Sequence, residues 1–136
     1  MNETLSEYAF TVHLDQPYEA ARERTEAALQ EQGFGVVTEI DMRATLRKKL
    51  DVEFRKYAIL GACNPGFAFK ALGAEPQVGL LLPCNVIVYE DEDGQGSTVS
   101  VVDPLGMLGD SDLAELRGVA DEAHERLANV AASLAD

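Results

Sequence analysis

The chain has 136 residues, of which 46% are hydrophobic and 26% are charged. This is the usual size of one domain, so we expect residues 1–136 to fold as a single unit around its own core. The formal net charge of −13 repels phosphate backbones and anionic lipid surfaces, which argues against nucleic acid or a membrane as a partner. The acidity is uneven, because residues 1–70 carry nine Lys and Arg against eleven Asp and Glu, whereas residues 71–136 carry two against thirteen.

The longest apolar run, residues 78–84, is far shorter than the roughly 20 residues that a membrane-spanning helix requires, and we expect it to belong to the core. The N-terminal residues are acidic and lack the basic and apolar regions of a secretion signal. We therefore expect a cytoplasmic protein. In a reducing compartment its two cysteines, Cys63 and Cys84, are expected to be free thiols.

The first part of the chain predicts strands that alternate with helices. Residues 7–14 alternate with a period of two, which indicates a strand. Asp15 offers an N-cap for a helix whose apolar positions recur at helical spacing until Gly33 ends it. Residues 34–41 are rich in β-branched side chains and predict a second strand, and residues 42–50 predict a short helix.

The second part of the chain contains a hairpin and the longest predicted helix. Residues 54–63 predict a third strand, and a helix follows over 65–72. Residues 86–90 and 98–102 flank a turn-rich acidic segment, which predicts a β-hairpin. The acidic cluster at 110–112 caps a final helix, in which apolar residues keep three- and four-residue spacing for six turns.

The order of elements is β-α-β-α-β-α-β-β-α, without a repeat or a long linker. We expect an α+β fold of two layers, in which a five-stranded, mostly antiparallel or mixed sheet carries the helices on one face. The hairpin excludes a purely parallel, doubly wound sheet, because its two strands are antiparallel. The relative direction of the third and fourth strands stays open.

The chain contains two Cys-Asn pairs, Cys63-Asn64 and Cys84-Asn85. These pairs are the most specific of several short motifs that resemble those of an uncharacterised family, the domain of unknown function 302. The rest of the resemblance extends over 33–107 and includes residues 40–42, 57–61, 93–94, 103–104 and Met107. It implies a compact α+β fold, often dimeric, from small prokaryotic proteins, and it implies no activity.

The position of Cys63 makes it a candidate reactive thiol. It stands directly before a helix that Asn64 and Pro65 begin, where unpaired N–H groups and the positive end of the helix dipole lower the pKa of a thiol. A nucleophilic, redox or persulfide-carrying thiol would suit this position, although buried cysteine is also a common small core residue. Cys84 begins a strand without such help, and we expect it to pack in the core.

The strand directions decide whether the two thiols meet. Parallel strands would place Cys63 and Cys84 at opposite edges of the sheet, about 20 Å apart for a six-residue strand. Antiparallel strands would place both at the same edge and make a shared site plausible.

Two carboxylates and a basic segment are further candidates. Asp41 and Asp103 each follow a predicted strand directly, and strand-end carboxylates can act as general bases, but helix capping and turn formation are their commoner roles. Six of the eleven basic residues lie within 43–56, where a small anion could bind. A solvated helix face is the commoner explanation of such a run.

Metal and nucleotide sites lack their usual motifs. Met42, Met107 or His13 could join the thiols around a soft metal ion, but no CxxC or HxxxH spacing occurs, so we expect no metal. His124 lies beside the apolar stripe of the last helix, as a boundary residue rather than a catalyst. No Gly-rich phosphate loop is present, and we expect no cofactor.

The sequence thus favours a homodimer that binds a small molecule or a small anion. The residues that we expect to contact this ligand are Cys63, Asn64, Cys84, Asn85, Asp41 and Asp103. Two alternatives stay open: a thiol- or persulfide-dependent enzyme with Cys63 as its nucleophile, and a purely structural assembly module.

Overall fold

The computed structural model describes residues 8–135 and shows an α+β fold. In chain order its elements are β1 (Ala9–Leu14), α1 (Tyr18–Glu31), β2 (Gly35–Asp41), α2 (Met42–Leu50), β3 (Tyr57–Cys63), α3 (Pro65–Ala74), a 3-10 helix (Pro76–Leu81), β4 (Cys84–Glu90), β5 (Ser97–Val102), α4 (Leu105–Leu108) and α5 (Ala114–Ala135). This order confirms the predicted one, to which the structure adds the 3-10 helix and α4. Within residues 8–135 no helix is both long and apolar enough to cross a membrane.

The five strands form one sheet in the order β1-β5-β4-β3-β2, and every neighbouring pair is antiparallel. The direction left open by the sequence is therefore settled for β3 and β4. At one end of the sheet Cys63 pairs with Gly35 of β2, and Ala62 pairs with Cys84 of β4. At the opposite end Asp41 pairs with Ala58.

The main core lies between one face of the sheet and the helices α1 and α5, which pack against it. The apolar side chains that alternate along the strands pack there against the apolar side chains that recur every three or four residues along the helices. Both sets are therefore buried together. Its largest fully buried side chains are Leu29, Leu60, Leu127, Leu134, Val86, Val88, Val99, Val101 and Val130. A second, smaller cluster joins α3, the 3-10 helix, α4 and the start of α5 through Ala71, Val78, Leu108, Leu116, Val119 and Ala120.

Several element ends differ from the prediction. Asp15 does not cap α1; Pro17 occupies the N-cap position, without a side-chain hydrogen bond. Strand β3 begins at Tyr57 rather than at residue 54, and α3 continues past Gly73 to Ala74. The expected end of α1 is confirmed, because Gly33 follows with a φ of +83°, a conformation that glycine adopts without strain.

The apolar run 78–84 is only partly core, so the prediction that it is buried is wrong for part of it. Val78 is 3% exposed, but Leu80 is 83% exposed and Leu81 is 40% exposed. The reason is local: Pro76 begins a 3-10 helix, and a helix turns some members of a continuous apolar run toward solvent. An extended strand of the same composition could have been buried on both faces.

Candidate functional site

The two cysteines lie at the same end of the sheet, as the antiparallel alternative predicts. Cys63 ends β3 and Cys84 begins β4, and Cys84 pairs with Ala62, the neighbour of Cys63. Neither cysteine forms a disulfide bond, and Cys63 is half-buried whereas Cys84 is buried.

A cavity of about 270 Å³, here called the cysteine cavity, opens beside the two thiols where the two core clusters meet. Among the described residues its wall contains two thiols and one amide, and the other side chains that line it are apolar. The lining residues are Phe34, Val37, Ala62, Cys63, Asn64, Phe67, Ala68, Ala71, Leu72, Leu82, Pro83, Cys84, Pro104, Leu108, Val119 and Ala123. Within residues 8–135 the cavity wall thus offers soft sulfur, one amide and apolar surface but no side-chain charge.

The first turn of α3 forms one side of the cavity and is held in place by local bonds. Asn64 is the N-cap, because its side-chain oxygen accepts a hydrogen bond of 3.1 Å from the backbone N–H of Phe67, and Pro65 occupies the first turn. The Phe67 ring packs against Phe34 with 6.1 Å between ring centroids, and the Arg126 guanidinium lies over it at 5.4 Å. The cap, the Phe34 ring and the Arg126 guanidinium therefore hold the start of α3 in place beside Cys63.

A β-bulge and a glycine shape the cavity on the sheet side. The register of β2 and β3 shifts between Val36 and Thr38, so that Val37 has no partner and lines the cavity while 61% exposed. A Cβ on Gly61 would lie 2.6 Å from Cγ of Pro83, so the glycine lets that ring lie close to the strand. Sequence reasoning missed Val37, Gly61 and Pro83; a glycine inside a strand pattern was the available signal.

Burial controls the chemistry of Cys84. Desolvation by burial, and to a smaller extent charge on the nearby Cys63, raise the pKa of its thiol from 9.0 to about 11. Cys84 therefore stays protonated at neutral pH. Its sulfur acts as a small apolar surface, in agreement with the expected packing role.

Asn85 and Asp41 do not reach the cysteine cavity. Side chains alternate along a strand, so Asn85 lies on the face opposite Cys84, where it is exposed and lines a separate cleft of about 200 Å³ with Leu80 and Leu81. Asp41 lies at the opposite end of β2, six residues from Gly35, or roughly 20 Å away. There its carboxylate caps α2 by accepting a hydrogen bond of 2.9 Å from the backbone N–H of Ala44.

Asp103 lies at the cysteine end of the sheet but behind the cavity wall. One of its carboxylate oxygens accepts a hydrogen bond of 3.0 Å from the backbone N–H of Leu105 and lies 2.8 Å from Nδ1 of His124. The neighbours of this pair, Pro104 and Ala123, line the cavity. Asp103 and His124 thus join the turn after β5 to α5 and support two lining residues.

The remaining candidates are scattered. Met42 lies in α2, Met107 lines the cleft that contains Asn85, and Nδ1 of His13 lies 3.0 Å from a carboxylate oxygen of Asp91. Among residues 8–135 there is no group of three or more His, Cys, Asp or Glu that could hold a metal ion. Within the basic segment, Arg47 pairs with Asp51 and Glu53, and Lys56 pairs with Glu19.

Comparison with known proteins identifies the family. A family model described as a domain of unknown function, DUF302, matches residues 10–134. The chain belongs to this family. The chain is also similar in structure to an uncharacterised conserved DUF302 protein from Bacillus stearothermophilus. The crystal structure of that protein superposes with a TM-score of 0.81 at 26% sequence identity, and the match covers 93% of this chain and 98% of that one. No curated protein matches this chain.

Proposed function

We propose that this domain binds a small, neutral and largely apolar molecule in the cysteine cavity, in contact with Cys63 and Asn64. The observation that carries the proposal is the composition of the wall, which combines two thiols and one amide with apolar side chains. Ligand sites are typically apolar clefts in which a few polar groups fix the orientation of the ligand. A volume of about 270 Å³ lies at the small end of such sites.

The wall favours a neutral ligand over the small anion considered from the sequence. A charge that is moved out of water without a partner costs several kcal/mol, and none of the described lining residues carries an opposite charge. The basic segment lies beyond the other end of the sheet, where Arg47 is already paired with carboxylates. An anion bound there would not meet the thiols.

Cys63 is the thiol that the ligand meets first. It is half-buried, whereas Cys84 is 9% exposed and keeps its proton because burial raises its pKa to about 11. Two free thiols suit a reducing compartment, and we propose the cytoplasm as the place of action.

A thiol enzyme with Cys63 as nucleophile is the second candidate. It is favoured by the position of Cys63, which directly precedes the N-cap of α3 and is only half-buried. A nucleophilic thiol usually has a general base within hydrogen-bond reach, but no His, Asp, Glu or Lys is among the described lining residues. Binding without catalysis therefore fits the cavity better.

An assembly role is the third candidate, and a different surface favours it. On the sheet face opposite α1 and α5, the register aligns Ile40, Ile59 and Ile87 in one row across β2, β3 and β4. Ile40 is 46% exposed, and exposed apolar patches often mark interfaces. We propose that a second copy of the chain covers this row, which gives the homodimer that the family resemblance implies.

Sedimentation equilibrium tests the assembly role. Ile40→Glu is expected to convert a dimer to a monomer, because it would bury an unpaired carboxylate at the interface. Leu80→Glu is the control, since Leu80 is exposed but lies outside the row. A wild-type monomer, or a dimer that only Leu80→Glu dissociates, would refute this interface.

Protection of Cys63 from alkylation tests the binding function. The probe is 1-octanol, and the rate of modification of Cys63 by iodoacetamide is measured by mass spectrometry. Ala68→Leu fills the cavity from a half-buried lining position, and Ala128→Leu makes the same change at a half-buried position outside it. We expect octanol to slow alkylation in the wild type and in Ala128→Leu but not in Ala68→Leu. Equal rates with and without octanol in the wild type would overturn the proposal.

A further inference from the structure

We propose that the ligand of the cysteine cavity is an amphiphile, and that its polar head lies in a second cleft over Gly118, between α3 and α5. This inference rests on the proposed binding function and specifies the class of ligand. The second cleft, here called the outer cleft, has a volume of about 290 Å³. Its lining residues are Phe67, Lys70, Glu115, Gly118, Val119 and Glu122.

The two spaces are neighbours. Phe67 and Val119 line both the cysteine cavity and the outer cleft, one from α3 and the other from α5. The apolar space therefore borders on a polar one, across two side chains that a single bound molecule can contact.

The cysteine cavity has little to offer a polar head. Among the described lining residues only Asn64 has a nitrogen or oxygen in its side chain, and that oxygen already accepts the capping bond from the backbone N–H of Phe67. Burying a polar group without a hydrogen-bond partner is unfavourable, so the head of a bound amphiphile is more stable outside the cavity. The outer cleft supplies the missing partners through Lys70, Glu115 and Glu122.

The glycine at position 118 is not required by any packing contact. Glycine inside a helix destabilises it relative to alanine, and Gly118 lies inside α5. A Cβ at this position would meet no atom within 4 Å, so no neighbour requires the glycine. Because Gly118 lines the outer cleft, the space that a methyl group would occupy is the space that we assign to the ligand head.

The charges of the outer cleft select the head. Glu115 and Glu122 lie seven residues apart on the face of α5 that contains Gly118, and Lys70 faces them from α3. None of the three forms an ion pair within residues 8–135. The side chains that line the cleft, which do not include the Arg126 guanidinium over Phe67, have two carboxylates against one ammonium group. This excess of negative charge disfavours an anionic head, so the ligand class is a neutral or cationic amphiphile.

Calorimetric titration with octylammonium, 1-octanol and octanoate tests the class of head. These probes share the apolar chain and differ in the charge of the head. We expect octanoate to bind about fivefold more weakly than octylammonium, which is the effect of one exposed charge interaction. Tighter binding of octanoate would overturn the assignment.

Gly118→Ala tests the location, with Gly73→Ala as the matched control. Gly73 is also helical, its Cβ would also meet no atom within 4 Å, and it lines neither space. We expect neither change to lower the melting temperature, but Gly118→Ala to weaken octylammonium binding about tenfold and Gly73→Ala to leave it unchanged. Unchanged affinity in Gly118→Ala, with binding still lost in Ala68→Leu, would overturn this inference alone. Absence of binding by every probe would overturn the proposed function as well.

Discussion

Ala62 and Cys84 face each other across the antiparallel strands β3 and β4. This pairing brings the end of β3 and the start of β4 to the same end of the sheet. It makes Cys63 and Cys84 neighbours in one cavity wall. It also places Cys84 on the buried face and its neighbour Asn85 on the opposite one. The proposed binding function depends on this geometry.

The pKa of Cys84 predicts a loss of stability at high pH. The folded protein holds the thiol proton more tightly than the unfolded chain, because burial raises the pKa from 9.0 to about 11. The resulting stabilisation is fully present below pH 9 and is lost as the pH rises through 11. The total loss of unfolding free energy is about 3 kcal/mol. Urea unfolding between pH 8 and pH 11.5 measures it.

Cys84→Ala is the comparison that isolates this effect. Burial also raises the pKa values of Tyr18 and Tyr57, so both proteins lose some stability in alkaline solution. We expect the wild type to lose more than Cys84→Ala over the same pH interval. Identical pH dependence in the two proteins would show that the Cys84 thiol is not desolvated.

Gly61→Ala is expected to destabilise the fold and reshape the cavity. The added Cβ would collide with Oγ1 of Thr38 and lie 2.6 Å from Cγ of Pro83. The Thr38 side chain can rotate away, but a proline ring in the cavity wall cannot. Overpacking of this kind costs about 1–3 kcal/mol of unfolding free energy. Gly35→Ala is the control, because a Cβ on Gly35 would meet nothing within 4 Å. Equal stability of the two variants in urea would contradict the close approach of Pro83.

Asp103→Ala is expected to lower the free energy of unfolding by about 2 kcal/mol. The change removes the acceptor for the backbone N–H of Leu105 and the partner of His124. His124→Ala should cost less, since the bond from Leu105 remains. Chemical unfolding of both variants and of the double variant measures the coupling. Additive losses would mean that the two side chains do not interact.

Asp41→Ala is expected to separate capping from binding. The variant loses the N-cap of α2, which is worth about 1 kcal/mol, while Cys63 lies at the other end of the sheet. Octanol should therefore protect Cys63 as well as it does in the wild type. Loss of protection at unchanged unfolding free energy would place Asp41 in the ligand site.

The sequence predicted the elements whose signals are local. The hairpin over β4 and β5 follows from its turn residues, the N-cap at Asn64 from the Asn-Pro pair, and the stripe of α5 from its spacing. The family resemblance was likewise confirmed by the match over residues 10–134.

The site was less predictable, because it depends on contacts that are distant in sequence. A period-two pattern is the same for parallel and antiparallel strands, so the meeting of Cys63 and Cys84 could not be derived. Asn85 was grouped with the thiols by its motif, although strand alternation alone places it on the other face from Cys84. The part of the cavity wall that Leu108 and Val119 form depends on how α4 and α5 pack. The sequence carries no local signal for that packing.

A crystal structure of the protein grown with 1-octanol tests the central claim most directly. The account predicts electron density for the octyl chain in the cysteine cavity, in van der Waals contact with Cys63 and Phe67, and no such density in Ala68→Leu. Octanol bound only at the exposed Leu80 and Leu81, with the cysteine cavity closed or filled by ordered water, would contradict it.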